Sequence, residues 1–188
     1  YLETTIDIEE FKTTLDGINK RNRFWGFQGI NGQMFFNMLF KSSEKVNQIS
    51  ELNRVLRESI SMPEDLNGAL NKLRRINEFT LSIGQQCDDA RSAPRAGSIP
   101  FFISYFWQIQ NHIKWRVYYN SMVEELIDLD FWLPIKEIEK DYTSFFHLNN
   151  DVNQKFYIKF PPDPDRAYNE VIAARLYQAA GVEVPEVV

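Results

Sequence analysis

Residues 24–40 read FWGFQGINGQMFFNMLF, and the reading of this stretch decides the fold. Gly26, Gly29 and Gly32 permit backbone that other residues resist, so its first half is a break in the chain. From Gln33 to about Val46 the apolar residues then come almost continuously: Met34, Phe35, Phe36, Met38, Leu39 and Phe40. A helix that is apolar on most sides is a buried one. Exposing Phe35, Phe36, Leu39 and Phe40 would make a patch larger than soluble monomers tolerate, so these residues are assigned to the core. The glycines serve tight turns before that helix. The sharper alternative is an anion site at its N-terminus, using the free N–H groups near Gly32 and Gln33.

Working outward, residues 5–23 read as an opening helix with a basic end at Lys20, Arg21 and Arg23. Ser61 and Glu64 have the spacing of a capping box, with Pro63 within the first turn. Leu66, Leu70, Leu73, Ile76 and Ile83 then hold one stripe of a long amphipathic helix, with Lys72, Arg74 and Arg75 interleaved. Residues 88–98 form a loop. Ser98 and Pro100 open the next helix, 99–110, whose sequence IPFFISYFWQIQ is aromatic nearly all round. Ser121 and Glu124 repeat the box spacing before a helix through about Leu129, and a last helical stretch covers roughly 134–146.

The texture changes after Asn149, Asn150 and Asp151. Phe156, Ile158 and Phe160 alternate as in a strand, and Asp163 with Pro164 suits the start of a helix that Gly181 ends before a second strand, 182–188. The expected fold class is mainly α: an aromatic-rich helical bundle domain over 1–150, followed by a short strand–helix–strand (α+β) segment over 155–188.

Composition narrows the function. The formal net charge of −5 gives no global field that draws the chain to phosphate, so nucleic acid is disfavoured as a partner unless a local basic face forms. One cysteine, Cys87, cannot make an internal disulfide, which fits a reducing compartment. No apolar run reaches the roughly 18–20 residues of a spanning helix, so no membrane is expected. The start, Tyr1-Leu2-Glu3-Thr4-Thr5, is unlike a signal peptide and lacks Met. The expectation is a cytoplasmic piece of a longer protein, whose partners are other parts of that polypeptide or another protein.

Polar residues inside the apolar blocks are the candidate contacts. Asn37, Gln108 and Gln110 interrupt faces that otherwise read as buried, and buried amides need partners. Two accounts are open: internal hydrogen bonds that fix helix register, or a polar pocket reading a base or nucleotide edge, for which amides suit bidentate contact. Lys114, Trp115 and Arg116, with Tyr118 and Tyr119, interleave cations with rings as a stacking and phosphate-binding surface does. Cations snorkelling at a core margin give the same pattern.

Two resemblances add to this reading. The segment KFYIKFPPDPDRAYNEVIAARLYQAAGVEVPEVV (155–188) resembles the N-lobe of HipA-like bacterial kinases, where a strand lysine precedes an N-E-x-x-x-A-x-L helix. The resemblance implies that Lys159 pairs with nucleotide phosphates and Glu170 orients that lysine, with ATP and magnesium as cofactors of the parent protein. No Gly-rich loop precedes Lys159, and the catalytic and metal-binding Asp residues would lie beyond Val188, so this chain alone is not expected to transfer phosphate. The strings G-Q-M-F-F-N, I-P-F-F-I-S-Y-F-W-Q-I-Q and K-W-R-V-Y-Y-N-S, spanning about 24–146, resemble the helical domain of bacterial restriction- and phage-defence-associated proteins.

Other chemistry is set aside. His112 and His147 have no Cys or His neighbour at ligand spacing. The acids between Glu124 and Asp141 read as a solvated face, and the only Glu-x-Lys triplet, at Glu10 and Lys12, lies in a helix rather than a nuclease strand. The expected role is a non-catalytic recognition or regulatory module of a defence-type or toxin-type protein linked to a kinase-like part. The alternatives are the nucleotide-binding portion of a HipA-like phosphotransferase and a structural protein-interaction domain.

Overall fold

The computed structural model describes residues 1–2, 5–22, 27–89, 91–128, 133 and 135–150. The chain divides into two units, Tyr1–Asp151 and Val152–Val188, and the second lies wholly outside the described residues. Lys159, Glu170 and the segment expected over 155–188 fall there. Among the described residues there are α-helices, one π-helical segment, one 3-10 turn and no strand. The mixed helix-and-strand class is therefore corrected to all-α for what is described. The alternation that argued for strands is confined to 156–160, while the described elements carry helical periodicity.

Helix α1, Ile8–Asn22, starts where the Asp7 carboxylate accepts the Glu10 amide at 2.9 Å. Its acids (Glu9, Glu10) and its bases (Lys20, Arg21) sit at the ends the helix dipole favours. The chain then makes a π-helical turn, Ile30–Met34, in which the Gln33 amide reaches back to the Phe27 carbonyl at 2.7 Å. Helix α2, Phe35–Lys45, continues directly from it. Asn47, with φ 57°, adopts the left-handed conformation that closes a helix.

Residues 47–60 carry no assignment in the sequence reading, yet Ile49–Ile60 is helix α3, burying Leu52, Val55, Leu56, Ser59 and Ile60. Helix α4, Leu66–Gln85, begins after Asp65, whose side chain accepts the Gly68 amide at 2.7 Å. Ser61 is thus not the cap expected. It closes α3 instead, its hydroxyl donating to the Glu58 carbonyl at 2.7 Å. The stripe on α4 is as expected, with Leu73, Ile76 and Ile83 buried and Leu66 and Leu70 packed against the core.

A 3-10 turn, Ala96–Ser98, leads into α5, Ile99–Gln110, with Pro100 in its first turn. The Ser98 hydroxyl donates to the Asn31 side chain at 2.8 Å rather than capping α5. Helices α6, Asn120–Asp128, and α7, Ile138–Asn150, complete the described unit.

Helix α4 is central, packing against α2, α3, α5 and α7. The aromatic blocks are mostly core. Phe102 stands 5.2–5.9 Å, centroid to centroid, from Phe27, Phe35, Phe36 and Phe106. A second ring cluster joins Trp107 to Trp115 at 5.5 Å and Tyr142 at 5.8 Å, with Tyr118 and Phe145 5.0 Å apart beside it. Such pairs add roughly 0.5–1.5 kcal/mol each beyond burial alone. No helix among the described residues is long and apolar enough to cross a membrane.

Candidate functional site

The last turn of α3 leaves carbonyls without helical partners. Three side chains from two other helices supply them. Gln110 on α5 donates to the Ile60 carbonyl at 2.7 Å, and its own oxygen accepts the Met62 amide at 2.9 Å. Trp107 donates its indole N–H to the Ser59 carbonyl at 2.9 Å. Lys72 on α4 donates to the Glu58 carbonyl and to the Ser61 hydroxyl. Gln110 therefore caps α3 and fixes the register of α5. The pocket account fails for it because both ends of its amide are already engaged.

The other candidates do not converge on a ligand surface. Trp115 is fully buried beside Trp107 and Phe146, so its ring is not a stacking platform. The Lys114 ammonium sits 5.3 Å from the centroid of the Trp115 ring and donates to the Glu64 carbonyl. Arg116 and Gln108 are half-buried. The Asn37 side-chain oxygen is buried without a hydrogen-bond partner among the described residues.

The anion site, the alternative to tight turns near Gly32, does not form either. The Gly32 and Met34 amides turn to the Gly29 carbonyl, at 3.4 and 3.3 Å, and the Gln33 amide to Phe27. The Gln33 side chain links back to α1, accepting from Asn19 at 2.5 Å and donating to Asp16 at 3.0 Å. The π-helical turn consumes the N–H groups that a ligand would need.

Much of the basic stretch on α4 is neutralised. Arg74 grips Glu139 with two bonds, at 2.9 and 2.6 Å, and Arg75 pairs with Glu58. Glu139 is thereby drawn out of the acidic face, and Asp141 is buried, accepting the Tyr118 hydroxyl. Burial, followed by this hydrogen bond, holds the Tyr118 hydroxyl far above its ordinary pKa. His112 and His147 are both exposed. Among the described residues no group of His, Cys, Asp or Glu is placed to hold a metal ion.

A surface that the sequence reading missed lies along α2. The expectation of a helix buried on most sides holds for Phe35, Phe36 and Leu39, but Phe40 is only partly buried and Met34 is 52% exposed. Met34, Met38, Lys41 and Lys45 share one face, and with Cys87 and Arg91 they line a cavity of about 360 Å3 between α2 and the chain after α4. Among the described residues the lining holds three cations and no carboxylate. Asp88, just outside it, pairs with Lys45 at 2.8 Å and raises the lysine pKa through that hydrogen bond. The Lys41 and Arg91 side chains make no ion pair among the described residues, although the Asp89 carboxylate accepts the Arg91 backbone amide at 2.9 Å. The readable signal was the spacing of Met34, Met38, Lys41 and Lys45, which places two methionines and two cations on one stripe.

A second cavity, about 390 Å3, lies between α3 and α4, and its charges are largely internal. Glu51 there pairs with Arg54, and the lining Arg75 with Glu58. Comparison with family models, with curated proteins and with solved structures yields no match to this chain.

Proposed function

We propose that the helical unit is a non-catalytic recognition or regulatory module of a bacterial, cytoplasmic protein of defence or toxin type. The observation that supports this best is the division of labour among its polar residues. Gln110, Trp107, Lys72 and Arg74 hold helices to one another, whereas the Lys41 and Arg91 side chains border an apolar-floored groove and make no ion pair among the described residues. Cavities of this size and lining are what small binding sites use. The wider context rests on the resemblance of the 24–146 strings. The kinase-like continuation, with Lys159 on the phosphates of ATP and Glu170 orienting that lysine, rests on the sequence of 155–188 alone, and calorimetry of ATP–magnesium binding by the parent against Lys159→Ala tests it.

The test of the module is phage plating on cells producing the whole gene product with Met38→Asp, at matched protein level and unfolding temperature. The reading expects protection to fall to that of cells without the gene. Protection equal to wild type overturns it.

One observation favours a second reading, a structural interaction domain. Ile109 and Ile113 are 70% and 72% exposed on either side of Gln110, the apolar exposure that protein contacts use.

A further inference from the structure

Resting on the recognition reading above, we infer that the groove along α2 takes an acidic amphipathic α-helix from a protein partner. The apolar face is longer than the cavity. It begins at Ile30, 59% exposed, and passes Met34 and Met38 before reaching Lys41 and Lys45. From residue 30 to 45 this is roughly 24 Å of helix, enough to lie along about four turns of another helix.

The floor is methionine, whose unbranched thioether adapts to the side chains of a docking helix. The rim supplies the charge. In a chain of net charge −5, a lining with Lys41, Lys45 and Arg91 and no carboxylate is a local inversion of sign. Asp88 pairs with Lys45, and Asp89 accepts the Arg91 backbone amide. Among the described residues the side-chain charges of Lys41 and Arg91 are thus left without an ion pair and can meet carboxylates from outside. Among the described residues no aromatic ring lines the cavity, so none there offers nucleobases a stacking surface. An occupant with apolar residues on one face and Asp or Glu at its margins satisfies both floor and rim.

Cys87 lies in the lining and is the only cysteine of the chain, so its alkylation rate reports occupancy directly. The probes are two helical peptides of about 16 residues with leucine at i, i+3, i+4 and i+7, one filled out with glutamate, the other with lysine. At about ten times its dissociation constant, the glutamate peptide should slow alkylation about tenfold, and the lysine peptide should leave it unchanged. Lys41→Glu combined with Arg91→Glu should exchange the two peptides' effects, which a variant that merely misfolds cannot do.

Equal protection by both peptides, or by neither, overturns the inference. Protection by decanoate that also displaces the glutamate peptide overturns it too, assigning the groove to small anionic amphiphiles. The alkylation and plating results separate the two claims. Peptide protection with plating unaffected by Met38→Asp leaves the groove its ligand and removes the recognition reading. The converse leaves a recognition surface with a different occupant.

Discussion

Replacing Gly32 by alanine would set a methyl carbon 2.2 Å from the Phe27 carbonyl oxygen, 2.9 Å from its carbon and 3.0 Å from its Cα. All three atoms are backbone, so no side chain can swing away, and the π-helical turn must open. Opening it costs the bond from the Gln33 amide to Phe27, worth roughly 1 kcal/mol. It also displaces Phe27, whose buried ring stands 4.9 Å from Tyr105 and 5.7 Å from Phe106. Overpacking of this kind costs roughly 1–3 kcal/mol. The sum, roughly 2–4 kcal/mol, should lower the Tm by roughly 5–15 °C for a chain of this size. Thermal unfolding followed by far-UV circular dichroism measures it. Gly17→Ala is the matched control, since a Cβ there meets nothing within 4 Å inside α1, and it should gain roughly 0.5–1 kcal/mol. A Gly32→Ala protein melting within about 1 °C of wild type would refute the close approach.

Two further outcomes follow from buried polar groups. Burial raises the pKa of both Tyr118 and Tyr142, so above about pH 10 the unfolded chain loses their protons while the folded chain keeps them. Their contribution is therefore complete below that pH and is lost above it, at roughly 1.4 kcal/mol per pH unit for each tyrosine. Urea midpoints between about pH 8 and pH 11 should stay level and then drop, and a flat profile would contradict the burial. Trp107→Phe should cost roughly 1–3 kcal/mol by leaving the Ser59 carbonyl buried without its donor. A urea midpoint unchanged from wild type would show that the indole bond contributes nothing.

Local patterns were legible wherever one element supplied the whole signal. The stripe from Leu66 to Ile83 marked α4, and Pro100 marked the start of α5, because periodicity and fixed proline φ act within a few residues. Helix α3 was readable in Leu52, Val55, Leu56 and Ile60, whose spacing is as regular, but their stretch lacks the rings that draw attention elsewhere. The Ser61 and Glu64 spacing pointed to Ser61 as the cap of α4, but Asp65 caps it and Ser61 closes α3.

What sequence could not show depends on contacts across the fold. Gln110 meets Ile60 and Met62 about fifty positions away, so its role as a cap had no local mark. The exposure of Met34, within a run of apolar residues, had no local mark for the same reason. Hydrophobicity says that a side chain prefers burial, and packing decides which face of α2 receives it.

The central claim is that Gln110, at the end of an aromatic block, builds this fold rather than contacts a ligand. Thermal unfolding of Gln110→Ala tests it most directly. The substitution removes the bonds to Ile60 and Phe106 and the acceptor for the Met62 amide. A cost of roughly 2 kcal/mol should lower the Tm by roughly 4–8 °C. A variant as stable as wild type would mean that the glutamine is free for a ligand, and would contradict the account.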